Sequence, residues 1–360
     1  MRVLVTGHQG YIGTRLVTLL KAAGVDLAGM DSGLFRDCAI FPIDEIPTVT
    51  KDIREVEFAD VQGFDAILHL AGLSNDPLGD IHPAVTYQIN FEATVRLAEL
   101  AKRAGVRRFI YASSCSVYGA AGDRIVDETG PFNPVTPYGS SKALSEVELT
   151  RLADSTFSPV FLRAATAYGV SPMIRFDLVV NNLVAWATAT SRVHIKSDGT
   201  PWRPVVHVED IARAYVATLK APTETVHLQA FNVGVQAENY QVRELAEFVR
   251  EAVPGAVIEY ALDAGPDKRC YRVDFGKIQR LMPEFRPCWT ARKGAAEIYE
   301  AIRLIGLRKA DFEGARYNRV DHLKLLARQG RIDDEMRLVE PVGPVSTRVS
   351  QPLRPSALPA

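Results

Sequence analysis

Short runs of consecutive apolar residues alternate, along the first half of the chain, with longer stretches whose apolar positions recur every three or four residues. Val3–Thr6, Val25–Met30, Ala66–Leu70, Arg108–Ala112 and Pro159–Arg163 read as strands. Tyr11–Ala23, Pro83–Ala104 and Tyr138–Ala153 read as helices. Strands that lack polar alternation are buried on both faces, and strand–helix alternation is the mark of parallel βαβ units. The expected fold class is therefore α/β, a doubly wound parallel sheet. From about Ala167 the regularity weakens, with interruptions at Gly169-Val170-Ser171-Pro172 and Asp198-Gly199-Thr200-Pro201. Helical patterns return at Val208–Leu219, Val242–Ala252 and Gly294–Ile305.

Composition narrows the class. The 360 residues are 47% apolar and 24% charged, which excludes wholesale disorder. With 42 Lys+Arg against 43 Asp+Glu the net charge is −1, so no basic excess points to nucleic acid. Cys38, Cys115, Cys270 and Cys288 lie far apart, with neither a CxxC pair nor histidines at ligand spacing. No metal site and no disulfide framework are expected, and a reducing cytoplasm fits best. No apolar run reaches the ~18–20 residues of a membrane span. The chain opens on strand-like Arg2-Val3-Leu4-Val5-Thr6 rather than a basic region and an apolar signal core.

The first strand runs into Thr6-Gly7-His8-Gln9-Gly10-Tyr11-Ile12-Gly13, which opens a helix. Gly7, Gly10 and Gly13 allow a tight turn and close approach of a pyrophosphate. The amides of Tyr11 and Ile12 at the helix start, with its partial positive charge, would meet the phosphate oxygens. Asp31 ends the second strand, where a carboxylate accepts from the adenosine ribose diol and repels a 2′-phosphate. NAD is favoured over NADP, although Arg36 stands close enough to blunt the repulsion. His8 is expected near the phosphates as a loop residue, and His207 as a structural histidine.

Tyr138-Gly139-Ser140-Ser141-Lys142 opens another helix just after Pro137. A spacing of four places Tyr138 and Lys142 on one face. A phenol with a reference pKa near ~10 needs a close cation to act as a base at neutral pH, and Lys142 supplies one. The strand end Ala112-Ser113-Ser114-Cys115-Ser116-Val117-Tyr118-Gly119 would bring the Ser114 hydroxyl to the same alcohol. A surface helix start is the plain alternative for an isolated Tyr-x-x-x-Lys; the glycine loop, Asp31 and the serine-rich strand end, in this order, argue against it.

These motifs resemble the extended short-chain dehydrogenase/reductases, in the NAD-dependent epimerase/dehydratase family of UDP-galactose 4-epimerases and sugar-nucleotide dehydratases. The resemblance runs from Arg2 to about Leu307. It includes Asp52-Ile53-Arg54 on the adenine side, His69-Leu70-Ala71-Gly72 after the fourth strand, and the helix asparagine Asn90. It implies a Rossmann-type domain over 1–167, with the chain returning at about 205–235. A smaller, mostly helical substrate domain would span 168–204 and 236–338, and 339–360, rich in proline, would be a disordered tail. Asp52, Ile53, Ala71, Tyr138 and Lys142 would line the cofactor beside the glycines and Asp31, with Ser114, Tyr138 and Lys142 as the catalytic trio. A nucleotide-diphosphate sugar is the implied partner, and a homodimer is the assembly considered. Asn182, Arg203, Arg269 and Arg272 match segments that hold the substrate diphosphate and ribose, a task suited to guanidinium forks.

Departures from the family matter for the reaction. The dehydratases carry Asp-Glu after the catalytic hydroxyl, where this chain has Cys115-Ser116. If strand alternation holds, Ser114 and Ser116 share a face toward the substrate and Cys115 points away. Ala164-Ala165-Thr166 replaces the usual aromatics and asparagine. The expectation is a nucleotide-sugar epimerase working through a 4-keto sugar. The alternatives are a ketosugar reductase or sugar-nucleotide dehydrogenase with exchanging cofactor, and a non-catalytic NAD-binding protein on the same fold.

Overall fold

The computed structural model describes residues 1–74, 77, 82–119, 124–265 and 270–339. Seven strands form one parallel sheet, in the spatial order Ala230–Val233, Ser158–Ala164, Arg108–Ser114, Ala66–His69, Arg2–Thr6, Asp26–Asp31, Thr48–Thr50. The order reverses across the first strand, which pairs with Asp26–Asp31 on one side and Ala66–His69 on the other. A crevice therefore opens at the carboxyl ends of the strands beside Thr6, where doubly wound folds bind dinucleotides.

Each strand explains its own apolar run. Val3 and Val5 face the cluster that includes Leu16 and Leu20 of the helix Tyr11–Ala22 and Ile211 and Tyr215 of the helix Val208–Lys220. Leu4, between them, faces the opposite cluster, with Leu97 and Ala101 of the helix Ala93–Arg103. Both faces are dry, so both sets of side chains must be apolar.

Two strands have no counterpart in the apolar pattern: Thr48–Thr50, exposed and too short to leave a run, and the edge strand Ala230–Val233. The expected helix Pro83–Ala104 is broken by a π-turn at Gln88–Glu92. The helix Val179–Thr190 was also unread; its buried face of Val180, Leu183, Val184 and Ala187 meets the helices Val242–Ala252 and Ala291–Ile305. The region expected to be mostly helical also holds paired strands, among them Trp202–His207 between Thr166–Tyr168 and Asn239–Gln241. Residues 319–338, placed with the substrate side from the sequence, pack instead on the cofactor-side core through Leu323, Leu326, Ile332 and Met336. The tail beyond Val339 lies outside the described residues.

Candidate active site

At the end of the first strand, Gly7 takes φ +71°, in the left-handed region. A Cβ on Gly7 would stand 2.6 Å from the Ala71 amide nitrogen. One on Gly13 would stand 2.3 Å from the Gly7 carbonyl oxygen. Only glycine permits this contact of loop, helix and fourth-strand exit. The helix Tyr11–Ala22 then starts at Gly10 with no side chain capping it, so its first-turn amides remain available to an anion. The Tyr11 side chain turns into the core, donating to the Gly169 carbonyl at 2.7 Å.

Asp31 accepts from the Gln9 amide at 3.0 Å and the Gly33 amide at 2.9 Å. One carboxylate thereby ties the glycine loop to the loop after the second strand, with lone pairs left for a diol. Asp52 caps its own turn, accepting from the Arg54 amide at 2.9 Å, and pairs with the Arg54 guanidinium at 2.6 Å. Ile53, just after it, is buried. His8 differs from the expectation. Its ring turns inward over Gly29, with Nε2 3.0 Å from the Thr48 hydroxyl, because the second strand leaves a glycine-sized gap there. These loops fit NAD: a pyrophosphate at the bare helix start, a ribose at Asp31, and a backbone cradle that a Cβ would fill.

The helix Pro137–Leu152 is entered through Thr136, whose hydroxyl accepts from the Gly139 amide at 3.1 Å, with Pro137 in the first turn. Its first turn abuts the serine turn: a Cβ on Gly139 would come 2.9 Å from the Ser116 carbonyl oxygen. Lys142 is only 4% exposed, with Nζ 4.7 Å from the Tyr111 ring centre and 5.7 Å from that of Tyr138. Burial pulls its pKa down to about 7, against the opposing pull of Glu146 one turn further on. Asn90, in the π-turn, accepts from the Leu73 amide at 2.7 Å and donates to the Ser141 hydroxyl at 3.3 Å. A Cβ on Gly72 would lie 3.0 Å from the Asn90 side-chain oxygen and 3.9 Å from Lys142 Nζ. A side chain at 72 would therefore crowd Asn90 beside the lysine.

The strand Arg108–Ser114 ends in a 3-10 turn, Cys115–Tyr118, rather than continuing its alternation. The two serines meet by another route: Ser114 Oγ donates to Ser116 Oγ at 3.1 Å and accepts from the Ser116 amide at the same distance. Cys115 is fully buried, its thiol donates to the Arg163 carbonyl at 3.1 Å, and burial holds its pKa far above the ordinary thiol range. Beneath this turn lies a network the sequence did not disclose. Arg163 meets Glu146 at 2.7 Å; Glu146 accepts from Ser113 at 2.5 Å; Arg163 also donates to the Tyr118 hydroxyl at 2.9 Å. Glu146 follows Lys142 by four residues, and that spacing was its one legible sign.

The substrate-side residues are placed on separate elements. Arg203, 7% exposed, lies on the strand Trp202–His207 and donates to the Trp202 carbonyl at 2.9 Å. The Arg272 guanidinium stands 4.9 Å from the ring centre of Trp202, the residue before Arg203 on that strand. Asn182 donates to the Phe176 carbonyl at 2.7 Å, at the start of its helix. Arg269 lies outside the described residues. His207 is committed structurally, 2.8 Å from Glu297 and stacked at 4.1 Å on Trp289. Arg175, not singled out from the sequence, pairs with Asp177 at 2.7 Å and reaches Ser74 at 2.8 Å, joining the two sides of the cleft. Among the described residues no three His, Cys, Asp or Glu side chains gather as a metal site, and no helix is long and apolar enough to cross a membrane.

The model of the NAD dependent epimerase/dehydratase family matches residues 3–234. The chain is 30% identical over 333 residues to UDP-glucose 4-epimerase of Neisseria gonorrhoeae, covering 83% of this chain and 96% of that one. It is 29% identical over 308 residues to the UDP-glucose 4-epimerase of Homo sapiens, covering 75% and 88%. Among solved structures, MoeE5 in complex with UDP-glucuronic acid and NAD aligns with a TM-score of 0.73 at 27% identity, over 84% of this chain and 99% of that one. The NAD dependent NDP-hexosamine 5,6-dehydratase TunA shares the fold, with a TM-score of 0.75 at 22% identity over 84% and 98%. The glycine loop, the tyrosine–lysine helix and the sheet order thus have one explanation: this chain is an enzyme of the NAD-dependent epimerase/dehydratase family.

Proposed function

We propose that the chain is a nucleotide-sugar epimerase that inverts a sugar carbon through a transient 4-keto sugar. The observation that carries this reading is the withdrawal of Cys115 into the core beside a turn that offers only the Ser114 and Ser116 hydroxyls. A dehydratase must remove a proton from carbon and protonate a leaving hydroxide, which calls for a second acid–base pair. The turn after the strand supplies none.

Tyr138 takes the proton from the sugar 4-hydroxyl and gives it back after the sugar has turned over. Ser114 hydrogen-bonds the same oxygen and fixes its position. Lys142, buried one helical turn from Tyr138, favours the phenolate by its charge. When bound, NAD supplies the hydride acceptor and donor. Arg203 and Arg272 would anchor the nucleotide diphosphate while the sugar, held less tightly, turns over.

The test is incubation of the purified enzyme with UDP-glucose, UDP-galactose and UDP-glucuronic acid in D2O, followed by NMR and mass analysis. The expected product has an inverted 4-hydroxyl, no deuterium on carbon and no net NADH. Deuterium at C3 or C5 would show enolisation and sink the proposal. Stoichiometric NADH with an oxidised sugar would make the chain a dehydrogenase.

A further inference from the structure

Residues 308–339 follow the helix Ala291–Ile305 and bind both halves of the molecule together. Phe312 packs first on the substrate side, with ring centres 5.7 Å from Trp186 and 6.1 Å from Phe176. Tyr317 stands edge-on to Phe176 at 5.6 Å. The helix Arg319–Arg328 and the turn after it then cross to the cofactor side, where Leu323, Leu326, Ile332 and Met336 share a core with Leu34, Ile53 and Val56.

The crossing falls at one end of the dinucleotide crevice. Asp31 closes the second strand, where the adenosine ribose is expected. The strand Thr48–Thr50 lies one step further out and leads into Asp52-Ile53, so these two loops would hold the adenosine end of a bound NAD. The strap holds each of them. On the first, His322 Nε2 lies 3.0 Å from the Leu34 carbonyl, Arg319 stacks 4.3 Å from the Phe35 ring centre, and Arg331 meets Asp37 at 3.4 Å. On the second, Arg54 donates to the Glu335 carbonyl at 2.8 Å while clamping Asp52, and Arg337 meets Glu55 at 3.1 Å.

We propose that residues 308–339 are a clasp that fixes the spacing of the two adenosine walls, with His322 and Arg337 as positioning residues that slow the release of NAD. A pocket whose walls are already held loses little entropy on binding, and the cofactor leaves only when the walls part. Affinity differences of this kind fall mainly on the dissociation rate. The inference rests on the NAD site and is independent of which sugar the enzyme takes or how it changes it.

The experiment uses the full chain loaded with NAD, freed of excess by gel filtration and diluted into a dehydrogenase that traps released NAD. In Arg331→Ala/Arg337→Ala, and separately in His322→Ala, release should quicken by about tenfold or more. Each half of the double variant is a partly exposed side chain, so that variant should fold even if His322→Ala does not. His322→Gln, which keeps an amide donor for the Leu34 carbonyl, should return most of the retention. Thermal midpoints of the cofactor-free proteins separate the roles. Faster release in the double variant with a midpoint near that of the parent supports the clasp. Unchanged release in that variant, or faster release that only tracks lost stability of the cofactor-free protein, overturns it.

Discussion

Lys142 holds its ammonium 5.7 Å from the centre of the Tyr138 ring, one helical turn away, and is almost wholly shielded from water. Burial makes the charge costly, and it also leaves the field of that charge unscreened at the phenol. The lysine therefore makes a buried contact, not a solvated surface one.

Tyr138→Phe should leave the fold and NAD binding unchanged and cut turnover by at least ~10²-fold, the usual scale for losing a general acid–base. Near-normal turnover in that variant would remove Tyr138 from the chemistry. The check is steady-state kinetics alongside quantitation of bound NAD.

The lysine also makes a pH prediction for the cofactor-free protein. Its folded pKa of about 7 lies below the ~10.5 of a free lysine. Between those values the unfolded chain binds a proton that the folded chain has released, so this group makes stability rise with pH, by at most ~1.4 kcal/mol per pH unit. Below about pH 7 both states are protonated and its contribution is flat. Lys142→Met should remove the rise. Urea midpoints at pH 7 and pH 9.5 test this, and an identical pH response in both proteins would show that Lys142 is not shifted.

Glu146→Gln should destabilise the fold by roughly 3–5 kcal/mol, since it leaves Arg163 buried without its carboxylate. Replacing both partners, as Glu146→Leu with Arg163→Met, should cost less than the single change. Urea unfolding of the three proteins decides it; equal stability of parent and single variant would mean the pair contributes nothing net.

Asp31 should make NAD the tighter cofactor, because its carboxylate meets the ribose diol and repels a 2′-phosphate. Titration of cofactor-free protein with both dinucleotides measures the preference. NADP binding as tight as NAD would show that Arg36 outweighs Asp31, and Asp31→Ala should then change little.

Arg203→Ala should weaken nucleotide-sugar binding while leaving NAD affinity nearly as it was. A charge-assisted contact contributes roughly 1.5–3 kcal/mol, which corresponds to about ten- to a hundredfold in affinity. Calorimetry with UDP-glucose and with NAD separates the two ligands, and a matching loss of NAD affinity would place Arg203 on the cofactor side.

The cofactor half was legible because its constraints are local. Gly7 and Gly13 must be glycine for the backbone to pass, Asp31 must end its strand, and Tyr138 must precede Lys142 by one turn; each requirement leaves its mark within a few residues. The apolar runs disclosed the buried strands for the same reason, since a strand covered on both faces cannot carry polar residues. Other features are products of distance. Glu146 and Arg163 are ordinary charges in the sequence, and only the packing of a helix against a strand makes them a buried pair. Ser114 and Ser116 meet through a 3-10 turn that alternation does not foresee, and His8 turns inward because Gly29, twenty-one positions on, leaves the space. The helix Arg319–Arg328 is not among the helical patterns legible in the sequence. That it grips Leu34 and, through the turn beyond it, Arg54 was decided by the tertiary structure alone, because a hydrophobic face records that it must be covered and not by what.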